Sequence, residues 1–262
     1  MSSTRRDFLK TAGLAAAAIG LARPVAAAPR AAPSPGDAAA NELLLEALQA
    51  AKDAGASYAD ARAGRYRQQF IGTRERQITG VSDSESYGVG VRVLVNGSWG
   101  FAATNEMTSE AVKRVAREAA GIARAARSAQ RRPVELAPVK PVVGTWRTPV
   151  QTDPLEVPIE EKVALLLAAN EAALKVRGVR FVNSGLALLR EEKTLATTDG
   201  TLTTQTFFRV GPQFTATAIG EGDFQSYTEE LAPRGSGWEY VTGLDMPGHA
   251  EEWASIAVQK LS

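Results

Sequence analysis

The sequence predicts an α+β protein in which helices pack on an antiparallel sheet. Hydrophobic residues recur at helical spacing in three segments, 37–54, 108–129 and 159–176. Residues 57–104 and 179–219 alternate instead with a period of two, which is typical of half-buried strands. Short turn dipeptides separate these strands, leaving no room for a crossover helix, so neighbouring strands should run antiparallel.

The first residues predict an export signal rather than a structural element. Arg5 and Arg6 open a segment that matches the bacterial twin-arginine pattern, and an uncharged, alanine-rich run follows. This run is too short to span a bilayer comfortably as an anchor. We therefore predict a signal peptide at residues 1–27, a proline-rich flexible leader at 28–36, and a periplasmic or secreted location with no membrane association beyond export.

Composition excludes several kinds of chemistry. The chain has no cysteine and one histidine, His249, so neither cysteine ligation nor a two-histidine metal site can be built within it. Of its 30 basic and 29 acidic residues, four and one lie in residues 1–27, which leaves 26 and 28. A nearly neutral mature chain gives no electrostatic argument for nucleic acid as a partner.

The first helix should begin near Asp37 and end at Gly55, which suits a left-handed C-terminal cap. Strands follow from residue 57, with residues 69–79 predicted as a second, polar strand. The clearest strand covers residues 87–95. Asn96-Gly97 then favours a type I′ hairpin turn, because both of its positions need positive φ.

A second helix is predicted at residues 108–129. Its predicted buried stripe consists of Val112, Val115, Ala119, Ile122 and Ala126. The arginines elsewhere on this helix are interpreted as solvated surface, because no aromatic residues accompany them as in a nucleic-acid site.

Residues 133–158 are punctuated by proline and are predicted to be an extended connector that marks a sub-boundary within the domain. The connector is expected to cross the sheet surface, because its residues Val142, Val143 and Trp146 favour burial. Pro158 should open a third helix at residues 159–176, whose predicted core stripe is Val163, Leu166, Leu167, Ala173 and Leu174.

The remaining segments predict an antiparallel meander. Residues 179–189 and 193–198 are expected to pair through a turn at 190–192. Asp199-Gly200 should turn the chain into strands at 201–210 and 213–219, separated at Gly211-Pro212. Residues 220–248 are predicted to be irregular and residues 249–261 to form a fourth helix.

Four segments, in this order, resemble the N-terminal region of the TldD/PmbA family of bacterial metallopeptidases: 55–62, 87–102, 108–112 and 198–200. The first is close to a Gly-Ala-x-Tyr-Ala-Asp-x-Arg pattern of that family. The second is similar to its Gly-x-Gly-x-Arg hairpin with a Trp-Gly-Phe-Ala return strand. The resemblance implies an α+β domain at residues 37–248, with residues 249–262 starting a helix that leads to a missing C-terminal domain.

The resemblance also implies what this chain lacks. The family places a His-Glu-x-x-x-His helix and its metal, expected to be zinc, in the C-terminal domain, whereas residues 248–252 here have no second histidine. No catalytic or metal-binding residue carries over. The implied role is to dimerise, with a like chain or a related one, and to line a cavity for unfolded peptide. Gly88 and Gly90 are candidate backbone positions of the peptide groove, because strand glycines allow close backbone approach.

Two other interpretations remain open. The chain could be a stand-alone peptide-binding or regulatory subunit. The sequence of the DNA downstream of Ser262 distinguishes this interpretation from a metallopeptidase fragment, because only the fragment requires that DNA to encode the metal-binding helix. A metal-independent hydrolase would have to use paired acids such as Glu191-Glu192 or Glu229-Glu230. Ser236 lies between two glycines but has no evident histidine partner.

Overall fold

The computed structural model describes residues 35–261, so the predicted signal peptide and most of the predicted leader lie outside it. The helices are α1 (Pro35–Asp53), α2 (Ser109–Ala126), α3 (Ile159–Leu174), α4 (Trp238–Gly243) and α5 (Met246–Gln259). The strands are β1 (Tyr58–Arg74), β2 (Gln77–Val95), β3 (Ser98–Thr104), β4 (Val143–Arg147), β5 (Val179–Thr197), β6 (Leu202–Ile219) and β7 (Phe224–Thr228). In this part of the chain no helix is both long and apolar enough to cross a bilayer.

The strands form one sheet in the order β3-β2-β1-β5-β6-β4, with β7 on β6. All neighbours are antiparallel except β4 and β6, which run parallel. The four central strands have 17 to 19 residues each, about three times the usual length. The predicted α+β class with an antiparallel sheet is therefore confirmed.

One face of this sheet carries two hydrophobic cores, one near each end of the long strands. The first core packs α1 and α2 against β1, β2 and β3 through small residues such as Ala61, Val91 and Ala119. The second packs α3 and α5 against β5 and β6, around Leu166, Phe214 and their neighbours. Along each strand, the residues that enter the first core and those that enter the second are separated by an even number of positions, so their side chains point to the same face of the sheet. Both groups of helices therefore cover the same face.

The predicted hairpin is confirmed in detail. Asn96 and Gly97 connect β2 to β3 with φ of 49° and 74°, as a type I′ turn requires. The C-terminal cap of α1 also has the predicted form, with Gly55 at a φ of 83°. Helix α1 begins at Pro35, so the last two residues of the predicted leader are helical.

Three predicted strand breaks were wrong. Residues 69–79 are not one strand, because β1 runs on to Arg74 and the turn falls at Glu75-Arg76. Residues 190–192 lie within β5, where their charges alternate between the two faces rather than forming a turn. Pro212 lies inside β6 because its nitrogen points to the outer edge, between the Val210–Arg234 bridge and β7, where it interrupts no pairing.

Several burial predictions were wrong as well. Ile122 and Ala126 are exposed, because α2 packs through Ala116, Ala120 and Ala123 instead. Val142, Val143 and Trp146 are exposed because β4 is an edge strand that no described helix covers. Residues 224–228 and 238–243, within the segment predicted to be irregular, form β7 and α4, and the last helix begins at Met246.

On α3 the buried stripe is rotated by one position from the prediction. Its most buried positions include Lys162 and Asn170, whereas Val163, Leu167 and Leu174 are only partly buried. Lys162 and Asn170 reach polar partners on β1, which the sequence pattern of α3 does not reveal.

Candidate functional site

The face of the sheet opposite the helices is the candidate site. Opposed residues of antiparallel neighbours point to the same side. Ala61 opposite Ala196 and Ile71 opposite Leu186 lie beneath the helices, so the intervening Gly64, opposite Lys193, points the other way. We call this second side the open face. No described helix packs on it.

Two grooves lie next to each other on the open face. Groove A, of about 740 Å³, extends across β3, β2, β1, β5 and β6 and includes Gly64, Gly88, Gly90 and Phe101 among its lining residues. Groove B, of about 920 Å³, continues along β1, β2, β5 and β6 as far as residues 228–233, and includes Phe70, Leu189 and Arg209. Both volumes are in the range of ligand-binding sites.

The structure places both predicted groove glycines, Gly88 and Gly90, in the lining of groove A. Gly88 lies directly opposite Gly64, which adds a third glycine to the same floor. A Cβ on Gly90 would lie 2.9 Å from the ring of Phe101, and one on Gly64 would lie 3.0 Å from the ring of Tyr66. The absent side chains thus leave space that these two rings partly fill.

An ion cluster lies at the end of groove A. The buried carboxylate of Asp60 pairs with Arg62 Nε at 3.2 Å and with Arg92 Nη2 at 2.7 Å. Both arginine side chains are about half exposed, and the guanidinium of Arg92 also lies 4.5 Å from the ring centroid of Trp99. Two cations thus share one carboxylate, and Asp199 acts on the neighbouring Tyr58 together with these three groups.

A ridge separates the two grooves. It consists of Tyr66, Glu191 and Phe207, which lie in one row across β1, β5 and β6. Lys193 Nζ pairs with Glu191 at 2.7 Å, and Trp146 of the edge strand packs on Phe207 with ring centroids 5.0 Å apart. Burial opposes ionisation of Glu191, but hydrogen bonds with Lys193 and Tyr66 outweigh it and lower the pKa of this carboxyl. Glu191 and Glu192 therefore do not form the acid pair that a metal-independent hydrolase would need, since the two side chains lie on opposite faces.

On the helix side, a charged band fills the space between the two cores. Arg67 pairs with Asp83 at 3.0 Å, and Arg190 pairs with Asp153 at 3.0 Å. The hydrogen bond from Arg67 is the main cause of the lowered pKa of Asp83. The sequence pattern did not predict this band, because the charged residues 190–192 have the composition of a turn.

Lys162 is the most unusual member of this band. It is fully buried, and its Nζ donates to Gln69 Oε1 at 2.6 Å, while Gln69 Nε2 donates to Asp83 at 2.9 Å. Burial, followed by repulsion from Arg67, lowers the pKa of the lysine against weaker opposing effects of Asp83, Asp153 and Glu156.

We expect this lysine to make stability depend on pH. The unfolded chain binds a proton, and the folded chain does not, between the lowered pKa and the ordinary value near 10.4. The free energy of unfolding contributed by Lys162 should therefore rise with pH across that interval, by at most about 1.4 kcal/mol per pH unit. Chemical denaturation from pH 7.5 to 10.5 should show this rise in the wild type relative to Lys162→Met.

Lys175→Met, at the exposed end of the same helix, is the matched control. Its stability profile should run parallel to that of the wild type. If the wild-type and Lys162→Met profiles are also parallel, Lys162 does not titrate in this interval.

The other sequence candidates do not form a reactive cluster within residues 35–261. His249 is exposed, stacks on Trp253 and lies 3.6 Å from Glu252. Ser236 Oγ hydrogen-bonds to Glu239 at 3.3 Å rather than to a histidine. Across the described residues no three His, Asp or Glu side chains are arranged to hold a metal ion. The described residues therefore do not fit a zinc site.

Solved structures share this fold. A candidate modulator of DNA gyrase from Thermotoga maritima matches with a TM-score of 0.60 and 15% identity, over 83% of this chain and 47% of that one. One from Bacteroides thetaiotaomicron matches with 0.58 and 13%, over 84% and 48%. TldE from Thermococcus kodakarensis matches with 0.56 and 15%, over 85% and 47%. These likenesses define the class as proteins built on a long-stranded antiparallel sheet with helices on one face.

Sequence comparison identifies the family within this class. Residues 59–123 match the profile described as PmbA/TldA metallopeptidase domain 1, and residues 152–261 match the PmbA/TldA metallopeptidase central domain. The chain belongs to the TldD/PmbA family of metallopeptidases.

Two curated relatives are metalloproteases. The one from Synechocystis is 30% identical over 182 residues, which is 67% of this chain and 37% of the relative. The one from Methanocaldococcus jannaschii is 26% identical over 125 residues, which is 48% of this chain and 28% of the relative. The chain thus aligns with well under half the length of these proteins.

Proposed function

We propose that this chain is the N-terminal, non-metal-binding portion of an exported metallopeptidase of this family. In this proposal the open face forms one wall of the cavity that receives unfolded peptide. Zinc and the catalytic residues belong to a C-terminal domain, the protein acts as a homodimer or as a heterodimer with a related chain, and the twin-arginine signal directs it to the periplasm or the exterior.

The observation that carries the proposal is the pair of adjoining grooves on the open face. Their walls combine apolar and aromatic side chains with a floor of partly exposed glycines, Gly64, Gly88 and Gly90, in paired strands. Such a surface suits an extended chain of varied sequence, because it contacts the backbone and accepts different side chains.

Peptide binding to the purified chain tests this function. A side chain introduced at Gly90 would enter groove A beside Phe101, whose ring can move. We expect Gly90→Leu to weaken binding of an unfolded peptide about tenfold in fluorescence anisotropy, because the leucine would occupy the groove. We also expect no cleavage of the peptide by the purified chain, with or without added zinc.

Gly121→Leu is the matched control, since Gly121 lies in α2 on the other side of the sheet with no atom near its Cβ position. Thermal unfolding should show that both variants are folded. Equal affinity of the two variants, or no binding by the wild type, would contradict the proposed role of the open face.

A second candidate is a stand-alone peptide-binding or regulatory subunit without a peptidase partner domain. It predicts the same peptide binding, but full function without any metal-binding chain.

A further inference from the structure

The outer edge of β2 is open along much of its length. β3 pairs with β2 only from Val89 to Val95, whereas β2 begins at Gln77. Residues 77–86 therefore pair with β1 on one side, and no other segment within residues 35–261 makes a backbone hydrogen bond to them. We call residues 77–86 the free edge. An unpaired strand edge is a template for pairing with another extended chain.

The backbone groups of Val81, Asp83 and Glu85 point outward from the free edge. The amide of Thr198 donates to the carbonyl of Ala59 at 2.9 Å, so the backbone of Ala59 faces β5 rather than β2. This direction repeats at every second residue of a strand. The β1 residues opposite Val81, Asp83 and Glu85 lie an even number of positions from Ala59 and also face β5. Their partners on β2 therefore face away from β1.

The free edge has little of the protection that keeps sheet edges from pairing with other chains. It contains no lysine and no proline, and its Val81 is 45% exposed. Its two acids are already neutralised, because Asp83 pairs with Arg67 at 3.0 Å and Glu85 pairs with Arg65 at 3.2 Å. The register shift between β1 and β2 lies at the turn end and does not reach residues 81–86.

Charge and side-chain type favour a second copy of the same edge as the partner. With a two-fold axis at Val81, the exposed valines of the two copies lie opposite each other, and Asp83 lies opposite Thr79 of the second copy. No acid then faces an acid. An axis at Asp83 or Ser84 places carboxylates directly opposite each other, which destabilises a strand pair. An axis at Ser82 places Asp83 opposite the apolar Val81.

We propose that two copies of this chain pair in antiparallel fashion through their free edges, about a two-fold axis at Val81. This inference rests on the proposed function, which includes a homodimer, and adds the interface. The axis is perpendicular to the sheet, because opposed residues of paired strands share a face. The two sheets then become one, with both open faces on the same side. The second copy's strand lies beside Ser82 and Ser84, which line groove B, so each copy extends the groove of the other.

Disulfide crosslinking tests the pairing, because the chain contains no cysteine. Val81→Cys places the two new thiols opposite each other, with Cα atoms about 5.5 Å apart, which a disulfide can span. Ser84→Cys is the matched control on the same exposed edge, since its two copies would lie roughly 20 Å apart along the strands. After mild oxidation of the purified chain, non-reducing denaturing gels should show mostly covalent dimer for the first variant and monomer for the second.

Sedimentation velocity measures the same interface without a crosslink. Val81→Asp sets two carboxylates opposite each other at the axis and should raise the dissociation constant of the dimer about tenfold or more. Val81→Thr keeps an uncharged, β-branched side chain and should leave the dimer nearly as stable. Ile122→Asp, an exposed change on α2, should leave the dissociation constant unchanged.

The outcomes separate this interface from the function on which it rests. A dimer that Val81→Asp leaves unchanged overturns the interface, and crosslinking of Ser84→Cys in place of Val81→Cys overturns the axis. A monomeric wild type whose Val81→Asp variant binds unfolded peptide more weakly would assign the free edge to a peptide strand and overturn pairing between copies. Peptide binding by the open face is measured independently with Gly90→Leu, so its failure is distinguishable from failure of the dimer.

Discussion

Replacing Gly100 by alanine is expected to destabilise the fold by about 3 kcal/mol or more. Gly100 lies on β3 directly beneath α2, and a Cβ there would overlap the carbonyl oxygen of Ala119 and lie 2.6 Å from the backbone nitrogen of Ala123. The obstructing atoms are helix backbone, so a rotamer change cannot relieve the overlap. Helix α2 would have to move away from the first core, whose contacts depend on its small alanines.

Equilibrium denaturation measures this loss, and the same helix offers a control. Gly121 lies in α2 with no atom within 4 Å of its Cβ position. Gly121→Ala should therefore stabilise the protein by about 0.5–1 kcal/mol through helix propensity alone. If Gly100→Ala lies within about 1 kcal/mol of the wild type, the close approach of α2 to β3 is not as described.

Replacing Phe214 by alanine is expected to cost about 3–5 kcal/mol, the usual range for removing a buried aromatic ring. Phe214 on β6 is fully buried, and its ring centroid lies 5.2 Å from that of Trp253 on α5. The cavity would open in the middle of the second core, where α3 and α5 meet the sheet. The surrounding long strands cannot collapse into it without losing their own pairing.

Phe224→Ala is the matched control because Phe224 is 67% exposed on β7. Its free energy of unfolding should stay within about 0.5 kcal/mol of the wild type. Similar losses for both phenylalanines would contradict the difference in burial between Phe214 and Phe224.

The turns, helix caps and hydrophobic period of single strands could largely be predicted from the sequence. Asn96-Gly97 predicts its turn because few other residue pairs accept positive φ at both positions. Thr108 caps α2 by accepting from the backbone of Ala111, and a strand-like period of two identified β2. Each of these signals depends on residues within a few positions of one another.

Strand length could not be predicted in the same way. Residues 190–192 and Gly211-Pro212 have turn-like composition, yet both lie inside 18- or 19-residue strands. The charges of Arg190 are satisfied by Asp153 and Glu156, which lie on a distant connector. Pro212 is tolerated because of where the neighbouring strands end. The ion pairs of Arg190 and the tolerance of Pro212 both depend on residues far away in the sequence, which hydrophobic periodicity cannot identify.

The candidate site shows the same division. The sequence pattern identified Gly88 and Gly90 as unusual, but their neighbours in groove A come from five strands, and Gly64 became part of the floor only through its pairing with Gly88. Lys162 appears in the sequence as an ordinary helix-surface lysine, and only the packing of α3 on β1 makes it buried.

The sequence by itself determined the fold class, the hairpin and the similarity to one family, because turn geometry and hydrophobic period depend on residues that are close together in the chain. Only the tertiary structure decided which face of the sheet stays open, where its grooves lie and how charge is distributed along it. Those properties arise when residues far apart in the chain are placed side by side by strand register, and register is set by the packing of the whole sheet.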